Sequence, residues 1–370
     1  MLTAGQRTEI ASALHAGPYA GVFTITGGGT LLISDLLTVP GGSASVLRAA
    51  VPYSRPALSA TLGLTPLRAC CEDVALGLAA RGFVSASAEV GHDAALGFGM
   101  TAALVTRFPR RGRHRAIAAV QTADGTWLAE VEFLKRAALR DVEERAAADL
   151  GLTLLDRCLR HGSADDGEPP TGLRVQFEPA AADVDAVRAG RSGLAWTDPP
   201  SSPPRGILSG SFNPPHVGHA RLRAAAARQI GGPVYFELSI CNADKPPIDD
   251  ITLVRRCRNL NGPVALTRAA TFAEKAFVFP GCVFVIGYDT AVRVLDPKYY
   301  ASGIEKGLSP VREAGCQFLV AARWDGVALR TLDEIAVPRA VASLFASIPP
   351  HEFREDVSSS AIRAASLGGG

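Results

Sequence analysis

The sequence predicts an α/β protein of two domains, the second built on a parallel, doubly wound sheet. Three observations predict it. The chain has 370 residues, more than the roughly 100–200 of a typical domain. Between residues 161 and 204 its composition turns to Gly, Asp, Pro and Ser, and the runs Asp165-Asp166-Gly167-Glu168-Pro169-Pro170 and Asp198-Pro199-Pro200-Ser201-Ser202-Pro203-Pro204 stop regular structure. Beyond that stretch, continuous apolar runs alternate with helical patterns, as they do where crossover helices bury strands on both faces. The chain therefore divides into a domain over 1–160, a linker with some local structure over 161–204, and a domain over 205–370.

The elements follow in order. Residues 3–15 carry a helical pattern and 21–25 a strand pattern, while 116–120 and 127–131 read as a hairpin joined through Asp124-Gly125. A long helix from about 136 to 159 closes the first domain. Within the linker, 173–177 form a short strand and 181–189 a helix that can pack on either domain. The second domain has strands at 206–208, 234–240, 264–266, 283–286 and 318–321. Sheets of this kind bind ligands at the carboxyl ends of their strands, near the point where strand order reverses. No internal repeat relates the two halves.

Composition narrows the function classes. Hydrophobic residues make up 47% of the chain, enough for two cores, yet no apolar run approaches the roughly 18–20 residues that cross a bilayer. The start, Met1-Leu2-Thr3-Ala4-Gly5-Gln6-Arg7, has no basic stretch followed by an apolar one, so a soluble, cytoplasmic protein without a secretory signal is expected. Seven cysteines, with no C-x-x-C pair, read as buried reduced thiols and supply no metal-ligating set. A net charge of +2 gives no reason to expect nucleic acid as a partner, and the Arg110-Arg111-Gly112-Arg113-His114-Arg115 cluster reads as a solvated loop before a strand.

The most informative segment is Gly210-Ser211-Phe212-Asn213-Pro214-Pro215-His216-Val217-Gly218-His219, which follows the apolar run Gly206-Ile207-Leu208 and opens an Ala-rich helix. Two imidazoles separated by one turn at a helix start can both face a phosphate chain. The glycine admits close backbone approach, and the helix N-terminus adds unpaired N–H groups and a dipole worth roughly 0.3–1 kcal/mol per charge. The segment resembles the HxGH signature of the nucleotidyltransferases that move an adenylyl or cytidylyl group.

Further segments support that resemblance. Val357-Ser358-Ser359-Ser360-Ala361-Ile362-Arg363 is similar to the family's ISSTxIR motif, although three hydroxyls at a helix start would also cap it. Val285-Ile286-Gly287-Tyr288-Asp289-Thr290 resembles the family's G-x-D segment, where Asp289 would accept from ribose hydroxyls and Gly287 would admit base or sugar; a helix cap is the alternative. Lys245, in Asn242-Ala243-Asp244-Lys245-Pro246-Pro247, would meet a phosphate or lie on the surface of a Pro-stiffened turn. Arg323 resembles a basic position near the triphosphate.

The resemblance, over 205 to the end, is to nicotinamide or nicotinate mononucleotide adenylyltransferases. It implies a Rossmann-like domain that joins a mononucleotide to ATP, with release of pyrophosphate and with Mg²⁺ held by substrate phosphates and water. His216 and His219 would steady the transferring phosphate oxygens, while Arg363 and the Ser358–Ser360 amides would hold the leaving pyrophosphate. Gly210, Ser211, Phe212 and Asn213 would line the nucleotide. The absence of a nucleophile constellation or paired carboxylates fits this chemistry, because the attacking phosphate is already an anion. Where nicotinate-specific members carry a tryptophan, this chain has Leu295-Asp296-Pro297-Lys298-Tyr299-Tyr300, and the acceptor stays open between nicotinate and nicotinamide.

The first domain, over about 6–160, resembles the CinA C-terminal family of nicotinamide mononucleotide amidohydrolases through Thr24-Ile25-Thr26-Gly27-Gly28-Gly29-Thr30, Val39-Pro40-Gly41-Gly42-Ser43 and Ala50-Val51-Pro52-Tyr53-Ser54. The family's serine position falls on Thr26 and its lysine position on Leu58, which cannot take a proton. Of the glycine-rich run only Gly97-Phe98-Gly99-Met100-Thr101 remains, so the expectation is a domain without amidase chemistry. Alternatives stay open at this point: a bifunctional amidohydrolase and adenylyltransferase, a transferase with another acceptor, or a nucleotide-binding sensor. Small-molecule nucleotides are the expected partners, with no membrane, and the oligomeric state is open, a homo-oligomer included.

Overall fold

The structure is a computed structural model that describes residues 1–107, 112–135, 139–161, 172–241 and 246–354. Contacts divide the chain into two units, the first made of Met1–Ala181 with Ala243–Leu253, the second of Ala182–Asn242 with Val254–Gly370. Among the described residues no helix is long and apolar enough to cross a membrane.

The first unit holds β1 (Ala20–Thr26), β2 (Val46–Ala50), β3 (Ala95–Ala103), β4 (His114–Gln121), β5 (Gly125–Phe133) and β6 (Arg174–Pro179) in one sheet of order β2-β1-β3-β4-β5-β6. β1 runs parallel to β2 and β3, and the rest pair antiparallel. Its helices are α1 (Ala4–Ala16), α2 (Leu31–Leu37), α3 (Gly42–Ser45), α4 (Arg55–Leu62), α5 (Glu72–Val90) and α6 (Arg140–Arg160). α1 starts at a capping box, in which the Thr3 hydroxyl accepts from Gln6 N–H and the Gln6 side chain accepts from Thr3 N–H. Leu14, Leu32 and Leu155 of α1, α2 and α6 bury against Phe23, Phe98 and Met100 on one face. On the other face α5 lies so close that a Cβ on Gly97 would come within 1.9 Å of Ala79 O, and one on Gly99 within 2.2 Å of Ala75 O. The glycines of β3 are thus the bed of a helix, and a strand stands where the sequence showed only a glycine-rich remnant.

Residues 246–253 belong to this unit although they lie far along the chain. Ile251 packs with Ala75, Ala79, Ile117 and Leu128. The buried Asp250 carboxylate accepts from Gln121 Nε2 at 3.0 Å and from Thr126 Oγ1 at 2.9 Å.

The second unit contains β7 (Leu194–Trp196), β8 (Gly206–Ser209), β9 (Val234–Ser239), β10 (Val264–Thr267), β11 (Val283–Gly287), β12 (Gln317–Ala321) and β15 (Phe345–Ser347), in the order β15-β12-β11-β8-β9-β10-β7, beside a small β13 (Arg323–Trp324) and β14 (Leu329–Arg330) hairpin. Every pairing in the large sheet is parallel except β7 with β10. Helices α7 (Ala182–Arg188), α8 (Val217–Ile230), α9 (Asp250–Cys257, begun in the first unit), α10 (Phe272–Val278), α11 (Tyr288–Val294) and α12 (Ile304–Glu313) connect the strands. The sheet is the doubly wound one expected from the alternating apolar runs. Strand order reverses between β8 and β11, which are neighbours, with Val285 opposite Leu208.

The segment expected to be a linker is largely structured at its described end. β6 adds to the first sheet, where Phe177 stacks on Trp127 at 4.2 Å between ring centres, and β7 closes the edge of the second sheet. β6 and α7 (Ala182–Arg188) fall where the sequence placed a short strand over 173–177 and a helix over 181–189.

Candidate functional site

β8 ends at Ser209 and the chain turns through Gly210–Pro215 into α8, whose N-cap is His216. Phe212 makes the turn with φ of 42°, in the left-handed region, and its ring is 1% exposed. That ring packs edge-on against Phe236 at 5.2 Å and against His219 at 5.0 Å. Gly210 fits beneath it because a Cβ there would stand 2.7 Å from the ring. The loop is further held by Arg256 Nη1, which donates to Ser211 O at 3.2 Å.

The two imidazoles lie side by side, with centroids 3.8 Å apart and planes tilted by 35°. His216 N–H donates to His219 Nδ1 at 3.1 Å. In the neutral ring the proton therefore sits on Nε2, which becomes a donor. Burial, and then the neighbouring His216, lower the His219 pKa to about 4. At neutral pH the ring is thus an uncharged donor at a helix N-terminus, where unpaired N–H groups favour an anion.

The next strand over, β11, ends at Gly287 and leads into α11, where Asp289 ion-pairs with Arg323 at the start of β13. Gly287 lies opposite Ala321 in the ladder, so Asp289 and Arg323 leave the carboxyl ends of adjacent strands. The Gly210–His219 loop and Gly287-Tyr288-Asp289 follow the carboxyl ends of β8 and β11, neighbouring strands on either side of the order reversal. Of the aromatic candidates, Tyr300 turns inward and donates from its hydroxyl to Val294 O at 2.8 Å. Tyr299 is 53% exposed, with Lys298 Nζ 4.9 Å from its ring centre. Lys245, Ser358, Ser359, Ser360 and Arg363 lie outside the described residues.

Sequence reasoning missed Arg256, and it missed a buried pair beneath the loop, Glu237 on β9 with Lys275 on α10. For Glu237 a signal existed, a lone charge inside the apolar run Val234-Tyr235-Phe236-Glu237-Leu238, whereas Lys275 follows Glu274 in its helix and nothing local marks it as the partner.

In the first unit Thr26 is buried and its hydroxyl donates to Pro52 O at 2.9 Å, while Leu58 is 2% exposed within α4. Glu144 of α6 fills the glycine-rich turn after β1, accepting from Thr30 N–H at 2.6 Å and Thr30 Oγ1 at 2.7 Å. Burial pushes that carboxyl up. The Thr30 hydroxyl, the Gly29 and Thr30 amides and the Arg140 charge outweigh burial and hold it below its ordinary value.

No family model matches the chain. It is 31% identical, over 115 residues, to "Putative nicotinamide mononucleotide adenylyltransferase" of Schizosaccharomyces pombe, a match covering 27% of this chain and 45% of that protein. The chain thus spans less than half the length of the curated relative it matches. It is similar in structure to the competence/damage inducible protein CihA of Agrobacterium tumefaciens, at 20% identity and a TM-score of 0.35 over 44% of this chain and 99% of that one. It is likewise similar to a competence-damaged protein (CinA) superfamily protein of Escherichia coli, at 17% identity and a TM-score of 0.34 over 41% of this chain and 88% of that one. The adenylyltransferase resemblance read from the sequence thus has a partial counterpart among curated proteins.

Proposed function

We propose that the chain is an adenylyltransferase, which joins a nicotinamide or nicotinate mononucleotide to the adenylyl group of ATP and releases pyrophosphate. The observation that carries this reading is the neutral His219 donor, set beside His216 at the head of α8 where strand order reverses. A phosphate oxygen of the mononucleotide attacks the α-phosphorus of ATP, a new P–O bond forms, and the bond to the bridging oxygen breaks as pyrophosphate leaves. The transferring group needs alignment and charge stabilisation rather than a protein nucleophile. His219 Nε2–H and the N-terminus of α8 would supply donors where charge builds, and Asp289, beside Arg323, would accept from a ribose hydroxyl. Among the described residues no group of three or more His, Cys, Asp or Glu could hold a metal ion, and in this reading the triphosphate carries Mg²⁺ into the site.

The first unit is read as non-catalytic. Its Thr26 hydroxyl is committed to Pro52 O, the lysine position holds an apolar side chain, and Glu144 occupies the amides of the turn that would otherwise face an anion. Incubating the full chain with Mg²⁺ and ATP or CTP against a panel of phosphate acceptors, with pyrophosphate and ammonia both read, tests the two statements. Pyrophosphate release with ATP and a pyridine mononucleotide, and no ammonia from nicotinamide mononucleotide, is expected. Loss of the His219 contact in His219→Ala should lower kcat about ten- to a hundredfold. A wild-type rate in that variant removes the assignment.

A further inference from the structure

Directly beneath the histidine loop, side chains from β8, β9, β10 and α10 form one buried polar chain. Glu237 is fully buried on β9, where it pairs with the Lys275 ammonium and accepts from Thr267 Oγ1 at 2.7 Å. Thr267 Oγ1 in turn accepts from Ala269 N–H at 3.2 Å. Lys275, 6% exposed, also reaches Ser209 Oγ at 3.4 Å. Ser209 is the last residue of β8 and stands opposite Glu237 in the ladder, and Gly210 N–H donates to the Glu237 carbonyl at 3.1 Å. The links therefore converge on the residue pair where strand becomes loop.

A buried ammonium–carboxylate pair is a poor source of stability, because desolvating both ions offsets their attraction and well-packed apolar groups serve as well. What apolar groups cannot supply is a donor aimed at Ser209 Oγ from a point fixed in the interior. We propose that Lys275 is a positioning residue for the polyphosphate-binding loop, held by Glu237 and Thr267 so that it fixes Ser209 and with it the departure of Gly210–His219 from the sheet. This rests on the adenylyltransferase reading above. A misplacement of about 1 Å in such a loop is enough to cost up to a hundredfold in rate.

The test uses the full chain carrying Glu237→Gln together with Lys275→Met, which removes both charges and leaves Thr267 an acceptor. Lys275→Met alone would leave Glu237 buried and uncompensated and is not informative. Expected for the pair is a melting temperature within about 3 °C of wild type, with KM for ATP raised or kcat lowered about tenfold. Ser209→Ala, which deletes only the hydroxyl, should move the same constants in the same direction and add less than its own effect in the paired background. If the pair folds poorly, Ser209→Ala carries the test. Wild-type kinetic constants in the folded pair, or in Ser209→Ala, overturn the proposal. A wild-type chain that makes no dinucleotide overturns the function reading instead. In that event calorimetric affinity for inorganic tripolyphosphate is read on the same proteins: weaker binding in the variants supports the role of Lys275, and equal binding removes it.

Discussion

The histidine pair should make the protein acid-sensitive in a way that one substitution relieves. In the native state His219 titrates near pH 4, below its ordinary value of 6.5, because burial and His216 disfavour its charged form. Between those two values the unfolded chain binds a proton that the native chain does not. Stability is therefore lost as pH falls through 6.5 toward 4, and it is unaffected above neutrality. From pH 7.5 to pH 5 the full shift corresponds to at most about 2 kcal/mol, and solvent screening of the partly exposed ring reduces this to about 1 kcal/mol. That is a fall in melting temperature of roughly 2–4 °C beyond what other groups cause. His219→Asn keeps an acceptor for His216 N–H but cannot titrate. Melting both full-length proteins at pH 7.5 and pH 5 isolates the ring, since the remaining carboxylates and histidines are common to both. The variant should lose less on acidification, and a ¹³C-labelled histidine titration should show one wild-type ring with a pKa well below 6. Equal losses in the two proteins would refute the reasoning.

Three other outcomes follow from the packing. Gly210→Ala places a methyl against the Phe212 ring and through it against His219, so activity should fall more steeply than thermal stability, as paired kinetics and melts would show. Gly97→Ala drives a methyl into the backbone of α5 and should lower stability by about 1–3 kcal/mol or more in denaturant titrations. Asp250→Ala strips a buried acceptor from Gln121 and Thr126 and should cost about 1–3 kcal/mol; an unchanged unfolding midpoint would count against those two hydrogen bonds.

Much of the second unit could be read in advance because its strands are nearly all apolar and its punctuation is local. Runs at 234–240 and 283–286 became β9 and β11 almost residue for residue. The same holds for the loop before α8, where sequence adjacency and spatial adjacency coincide. β3 was hidden because alternate positions are glycine, a choice dictated by a helix that passes within contact distance and that no local pattern reveals. Glu237 and Lys275 were hidden for the opposite reason: each is an ordinary charged residue in its own segment, and only the fold makes them partners across 38 positions. Gly210 was legible as a glycine but not for its cause, since the group that excludes a side chain there is the ring two residues on.

The return of residues 246–253 to the first unit bears on how this gene could be taken apart. A single cut after β6 would yield an amino-terminal product lacking Ile251 from its core and the carboxylate that answers Gln121 and Thr126. The complementary product would carry that octapeptide with nothing to cover it. Fission at one point thus leaves both pieces incomplete, and expression of either half as a free-standing protein calls for grafting or replacing this short stretch rather than for choosing a better terminus.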